Sequence, residues 1–386
     1  MSEYQLYQWI ALDRPLSPRE QKKVSRLSSH IEVSPWHATV EYHWSDFKHD
    51  PIKVLVKYFD VFLYWSNWGS RRLAIRLPKQ GLDAEQFQPY LTEAVIQLVP
   101  KEECYIFDVS LEEETEEEVW ISAGTISALG QLRNELLEGD YRVLYLAWLA
   151  GACFEEIDED QQEPPVPPGL EELSPALKCF AKLFLVDKYL IAAAAEASPP
   201  LQPALPIPPE EAVGRLPPEE RDDFLVRLLR GEPQLRQTLR RRLEELAGQP
   251  PRNAAPGRRM WGQLRDRADQ LHAQARHRAA QAAEKKRRRE LQLLAQQEPK
   301  LWAQAERLIE QKKASLYDQV VKLLKKLRLL ADHQGRFADF QNRLADWKTR
   351  YPSLRAFWSR VDSAKLLSSE PLAPPDLSEP VEEDRF

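Results

Sequence analysis

The 386-residue sequence predicts an α+β (or α/β) protein, with an N-terminal mixed-sheet domain followed by an all-α region that holds one long basic helix and a helical-hairpin bundle. Three observations carry that expectation. Residues 1–155 alternate between strand-like and helix-like apolar patterns. Residues 217–365 are helical by pattern throughout, and the stretch 258–298 has no Pro and only Gly262 as glycine. The charge is split: residues 1–163 carry 15 Lys+Arg against 29 Asp+Glu, a net of −14, and residues 257–350 carry 23 against 11, a net of +12. The whole-chain value of −6 hides this. Opposite blocks of that size point to two regions with different partners, or to two regions that contact each other.

The elements follow in order. Residues 4–12 read as a strand. Ser17, Pro18 and Glu20 form a capping box with proline in the first turn, so a helix runs from there to about Leu27. Residues 38–44 (Ala-Thr-Val-Glu-Tyr-His-Trp) read as a second strand. Residues 51–64 read as a buried helix, with Leu55, Tyr58, Phe59, Phe62 and Leu63 at helical spacing. Asn67 to Ser70 break it. Residues 71–77 alternate Leu73, Ile75 and Leu77 with Arg72, Ala74 and Arg76, a half-buried strand. A helix over 83–98, strands over 103–109 and 119–122, and a helix over 127–154 complete the domain.

Residues 155–169 are acidic and proline-rich, and proline fixes φ and removes a donor, so this stretch is expected to be extended and exposed. A short helix over 174–195 and a second proline-rich stretch over 198–209 follow. The C-terminal run is read as a helix from 217 that Gly231 interrupts, a following helix closed at 248–251, and helices over 258–298, 301–313, 315–332, 335–350 and 354–361, ending in an acidic tail over 371–386. The expected division is 1–155, an acidic Trp-rich domain; 156–216, linkers flanking a short helical segment; 217–365, a basic helical domain; and 366–386, a disordered tail.

Hydrophobic content of 43% and charged content of 30% describe a soluble mixture. No apolar run reaches the roughly 20 residues that span a bilayer, and residues 1–12 lack a basic region ahead of an apolar core. Cys104, Cys153 and Cys179 are an odd, sparse set among apolar neighbours, which fits a reducing cytoplasm. There is no CxxC pair, P-loop, GxGxxG, GxSxG or HExxH. The expectation is therefore a non-enzymatic protein without cofactor or identifiable small-molecule substrate.

Tyr4, Asp13-Arg14-Pro15-Leu16, Tyr42-His43-Trp44-Ser45-Asp46-Phe47, Tyr58-Phe59-Asp60 and Asn67-Trp68-Gly69-Ser70-Arg71-Arg72-Leu73 together resemble the opening of a family of uncharacterised bacterial proteins. Residues 301–362, with Ala314-Ser315-Leu316-Tyr317-Asp318, are similar to the helical C-terminal region of several bacterial proteins, some of which carry SWIM-type zinc fingers. That finger needs CxC followed by CxH. This chain has neither, so a zinc-binding role does not carry over.

Three clusters could carry chemistry. His43, Asp46, His49 and Asp50 are metal-ligand or acid–base types, but Pro51 follows directly, which favours Asp50 as the cap of a helix that Pro51 starts. Trp65, Trp68, Arg71, Arg72 and Arg76 combine aromatics with arginines, as a partner-binding surface would. The alternative is a packed hairpin whose arginines pair with the acidic surface of the same domain. Seven of the 11 Trp lie before residue 150, at 9, 36, 44, 65, 68, 120 and 148, which adds weight to a binding surface.

The third cluster is basic: Arg265, Arg276, Arg278, Lys285, Lys286, Arg287, Arg288 and Arg289, with Arg267 among them. Five consecutive cations on a helix point in all directions. Such a helix can lie along a nucleic-acid backbone, dock on an acidic protein surface, including the chain's own run at 112–118, or remain solvated. It lacks the broad apolar face that membrane binding needs. The expected function is a cytoplasmic scaffold with a protein partner on the N-terminal domain and an acidic partner on the basic helix. Alternatives are a nucleic-acid-binding protein using residues 258–289, and a metal-dependent enzyme at His43/Asp46/His49/Asp50.

Overall fold

A computed structural model describes residues 3–80, 82–112, 121, 124–201, 208–232, 235–246 and 254–368, except the side chains of residues 209 and 237. The chain divides into two units, Met1–Ala273 and Gln274–Phe386. The first is built on a sheet of seven strands: β1 (Gln5–Ile10), β2 (Glu32–Val33), β3 (His37–Tyr42), β4 (Val61–Ser66), β5 (Arg71–Pro78), β6 (Ile96–Pro100) and β7 (Cys104–Leu111). Their order is β2-β3-β1-β4-β5-β7-β6. Every pairing among them is antiparallel, so the fold is α+β and the sheet is not mixed.

Strand alternation gives the sheet two apolar faces. Ile10, Leu63, Leu73, Ile75, Leu77, Phe107 and Val109 face α3 (Thr125–Leu137), α4 (Arg142–Phe154), α5 (Pro175–Leu183) and α6 (Lys188–Ala195). Tyr7, Trp9, Phe62, Ala74 and Ile106 face the other way, with Val24 of α1 (Pro18–Val24) and Val54 and Leu55 of α2 (Pro51–Tyr58). Burying one such large apolar side chain contributes about 1.5–3 kcal/mol, so a sheet covered on both faces is the main source of cohesion here.

The capping box of α1 forms as its sequence requires: Ser17 N–H donates to Glu20 at 2.8 Å, and Glu20 N–H donates back to Ser17 Oγ at 3.3 Å. Arg14 clamps the same carboxylate at 2.8 and 2.9 Å; it and Ser17 pull Glu20 down to about 2.

Several expected elements divide differently. The stretch read as one helix over 51–64 is α2 followed by β4. Its second half, Val61-Phe62-Leu63-Tyr64-Trp65, is β-branched and aromatic, and its apolar positions suit a strand buried on both faces as well as a helix. The helix expected over 83–98 is a 3-10 turn, Ala84–Tyr90, containing Pro89, followed by β6. The single helix expected over 127–154 breaks into α3 and α4 at Gly139, whose φ of 77° takes the chain out of the helix. A similar break at Leu185 separates α5 from α6.

The acidic proline stretch divides: residues 158–162 are exposed as expected, but its proline half is buried. Glu163, Pro164, Val166 and Pro167 are buried, and Val166 bridges Ala255. The second strand ends at Tyr42, and Trp44 turns away with φ 74°. The strand expected at 119–122, the acidic run at 113–118 and the tail at 371–386 lie outside the described residues, apart from Ile121.

Three short helices, α7 (Pro209–Gly214), α8 (Pro218–Leu229) and α9 (Leu235–Leu246), form a satellite cluster around Ala212, Leu216 and Leu243. Next comes α10 (Trp261–Glu310), a helix of 50 residues that continues through Pro299. The proline removes one helical hydrogen bond, at a cost of about 3 kcal/mol. Leu291 and Leu294 before it and Leu301 and Trp302 after it are buried in one core, so packing holds both flanks. In the second unit that core is shared with α11 (Tyr317–His333), α12 (Phe337–Arg350) and α13 (Arg355–Ser363). Arg336 to Glu298 (2.7 Å) and Arg350 to Glu306 (2.8 Å) tie α10 to this bundle.

Candidate functional site

The three clusters have different fates. His43 to Asp50 do not converge. The His43 ring lies against Tyr4, Asp46 accepts from Gln5 Nε2 at 2.7 Å, and His49 packs on Phe47. Asp50 caps α2, accepting from the N–H groups of Ile52 (2.8 Å) and Lys53 (3.2 Å). Among the described residues no group of three or more His, Cys, Asp or Glu could hold a metal ion.

The β4–β5 hairpin does not present its aromatics and arginines as one surface, because strand alternation puts Trp65 and Arg71 on one face and Arg72 and Arg76 on the other. Arg71 is buried and donates to the carbonyls of Gly69 (2.8 Å) and Leu183 (2.6 Å). Trp65 packs against the helix-covered core, and Trp68 Nε1 donates to Ser70 Oγ. On the other face Arg72 forms a bidentate pair with Asp108. Arg76 donates to Phe59 O and pairs with Asp60. Of the seven early tryptophans, Trp9 and Trp148 are buried, Trp36 and Trp44 are 49% and 70% exposed, and Trp120 lies outside the described residues.

The hairpin instead joins a charge network that sequence reasoning missed. Arg133 and Asp60 are each only 2% exposed. Arg133 makes two hydrogen bonds to Asp13, at 2.8 and 2.7 Å, and a third to Arg76 O. Asp60 also accepts from the N–H groups of Leu12 (2.6 Å) and Asp13 (3.1 Å). Burial works against the Asp60 charge, but Arg133, Arg76 and those two N–H groups outweigh it and hold its carboxyl below the usual range. Two acids and two bases pair with one another here, Asp60 and Arg133 buried and Asp13 and Arg76 toward the surface, and together they staple the sheet to α3.

The basic helix is divided. Its first turns belong to unit 1, where Trp261, Leu264 and Ala268 are buried. There the chain's own acids take up the cations. Arg259, just before the helix, pairs with buried Glu163 at 2.8 and 2.9 Å. Arg265 lies 3.5 Å from Glu159, and Arg267 reaches Glu196 at 2.7 Å. Burial opposes the charge of Glu163, but hydrogen bonds from Arg259 and Tyr145 keep its carboxyl below the usual range.

Residues 276–289 differ. All fourteen are exposed; seven are Lys or Arg, and Glu284 is the only acid. Lys286 lies 3.9 Å from Glu290. Among the described residues no ion pair neutralises Arg276, Arg278, Lys285, Arg287, Arg288 or Arg289. At about 100° per residue, Arg278, Lys285 and Arg289 fall on one line along the helix. That line is opposite Leu291, Leu294, Leu301 and Ala305, which enter the core of unit 2. Exposed Lys300 and Arg307 extend it.

Sequence reading missed those last two because it ended the helix at Pro299. The available signal is the spacing: Arg278, Arg289 and Lys300 are 11 apart, and Lys285 and Arg307 are 22 apart. An 11-residue step nearly closes three helical turns. Within residues 274–368, 22 Lys+Arg face 10 Asp+Glu, a net of +12.

Among the described residues no helix is long and apolar enough to cross a membrane. No protein-family model, no curated protein and no solved structure matches this chain.

Proposed function

We propose that this protein binds nucleic acid through residues 276–289 of α10, holding the phosphate backbone by charge and without base specificity. The observation that carries the reading is a helical stretch exposed on every side, with seven cations, one acid and no neutralising partner for six of those cations among the described residues. Side chains of this kind bind phosphates and release condensed counterions.

The composition favours a polyanion over an acidic protein. Protein-interface hot spots are enriched in Trp, Tyr and Arg seated in well-packed, desolvated pockets. Residues 276–289 supply arginines but no Trp or Tyr beside them: apart from the charged residues there are only His277, Gln281 and four alanines. The adaptor reading also needs a partner surface on the N-terminal domain, and the arginines expected there are committed to Asp108, Asp60 and backbone carbonyls.

Fluorescence anisotropy of a labelled 20-mer nucleic acid over a salt series tests the proposal. For about five phosphate contacts, log K should fall with log salt at a slope of about −4.5. The triple substitution Arg278→Gln, Lys285→Gln, Arg289→Gln should weaken binding and reduce the slope by about 3. Absent or salt-independent binding would overturn the reading.

A further inference from the structure

We infer that the nucleic acid this helix takes is B-form DNA duplex, entered through the major groove; this rests on the reading above and narrows it. A helix that enters the major groove needs its groove-facing sides open, as in packed recognition helices and in continuous basic-region helices. Residues 276–289 are exposed on every side of the helix, so side chains on both flanks are open to contact.

The cations are placed for two walls. Arg276 and Arg287 project from one side of the helix, Arg278 and Arg289 from the opposite side, and Arg288 lies between them. Glu284 is the one acid in the stretch, and Glu290 is occupied by Lys286. A single phosphate row would leave half of these arginines facing water. Two rows flanking a groove engage both sets.

The dimensions agree. An α-helix with its side chains is about 10–12 Å across, and the B-form major groove is about 12 Å wide. Ala279, Ala280, Ala282 and Ala283 keep this part of the helix thin. Fourteen residues at about 1.5 Å each span roughly 21 Å, or about six base pairs. The major groove of an A-form RNA duplex is deep and too narrow for side chains to read, so the same helix does not fit it. Single strands are held by stacking bases on aromatic rings. Between Trp261 and Trp302 the only rings are those of His272 and His277.

The test uses the full chain and three 20-mers of one sequence: DNA duplex, RNA duplex and single-stranded DNA, compared by anisotropy at fixed salt. The DNA duplex should bind about tenfold more tightly than either competitor. A DNA duplex whose pyrimidines carry bulky C5 substituents, which fill the major groove, should lose most of that binding. Arg276→Gln/Arg287→Gln and Arg278→Gln/Arg289→Gln should weaken DNA binding to a similar degree, with helicity checked by circular dichroism. Equal affinity for the two duplexes, preference for the single strand, indifference to the C5 groups, or a loss confined to one arginine pair would overturn the inference while leaving backbone binding in place. No binding to any of the three would overturn the parent reading instead.

Discussion

At the scale of single residues, the decisive question for each arginine is what its guanidinium already touches. Arg76, Arg133 and Arg72 sit in the sheet domain with carboxylates of their own. Removing one partner from such a network leaves a buried charge uncompensated, which costs about 3–5 kcal/mol. Asp60→Asn should therefore destabilise the protein by about 3 kcal/mol at pH 7, the lower end, because Asp13 still faces Arg133. The pH dependence has a definite sign. The Asp60 carboxyl sits below its unfolded value, so its contribution is complete above about pH 4 and is lost as pH falls through the lower folded value. The gap between wild type and variant should be widest near neutrality and close at strongly acid pH. Urea unfolding followed by tryptophan fluorescence at pH 7 and pH 2.5 measures it. A variant within about 0.5 kcal/mol of wild type at pH 7 would show that the network is not a staple.

At the scale of elements, α10 is one helix under two regimes. Residues 291–309 are held by Leu291, Leu294, Leu301, Trp302 and Ile309 in a core. Residues 276–289 have no such cover and depend on the intrinsic propensity of Ala, Arg, Lys and Gln. Amide hydrogen exchange should therefore be markedly faster across 276–289 than across 291–309, and Ala280→Gly with Ala283→Gly should speed it further, at about 1 kcal/mol of local helix stability each. Equal protection along the whole helix would show that something covers the exposed stretch.

The same contrast explains what was legible in the sequence. The capping box at Ser17 and Glu20, the Asp50 cap and the Ala-rich basic helix are local signals, and each appears where its residues lie. The break between α2 and β4 was hidden because a fully apolar run satisfies both periods. Burial of the proline stretch at 164–167 and the Asp13–Asp60–Arg76–Arg133 network depend on contacts between residues far apart in the chain, which spacing does not encode. For the candidate site, the cations were legible, but whether they were already occupied was not: Arg265 and Arg267 face acids of unit 1, while Arg276 and Arg278, with the same local chemistry, do not.

At the scale of the whole molecule, the charge split limits how the proposed binding can work. Residues 1–273 carry 31 Lys+Arg against 44 Asp+Glu, a net of −13, while residues 274–368 carry +12. Whether a polyanion senses the acidic unit depends on screening. The Debye length is about 8 Å at 0.15 M salt and about 30 Å at 0.01 M. Near physiological salt a phosphate at residues 276–289 responds to the cations around it. At low salt the net −13 of residues 1–273, joined to this stretch through the chain, is screened least and would repel the same polyanion. Counterion release alone predicts a straight line of log K against log salt. For this chain the line should hold above about 0.1 M and bend toward weaker binding than extrapolated below about 0.03 M. A tethered acidic domain is therefore expected to cap affinity where an isolated basic helix would bind most tightly and least selectively. Anisotropy from 10 to 400 mM salt measures the bend, and a line that stays straight to 10 mM would mean that the acidic unit lies outside electrostatic reach of the bound polyanion.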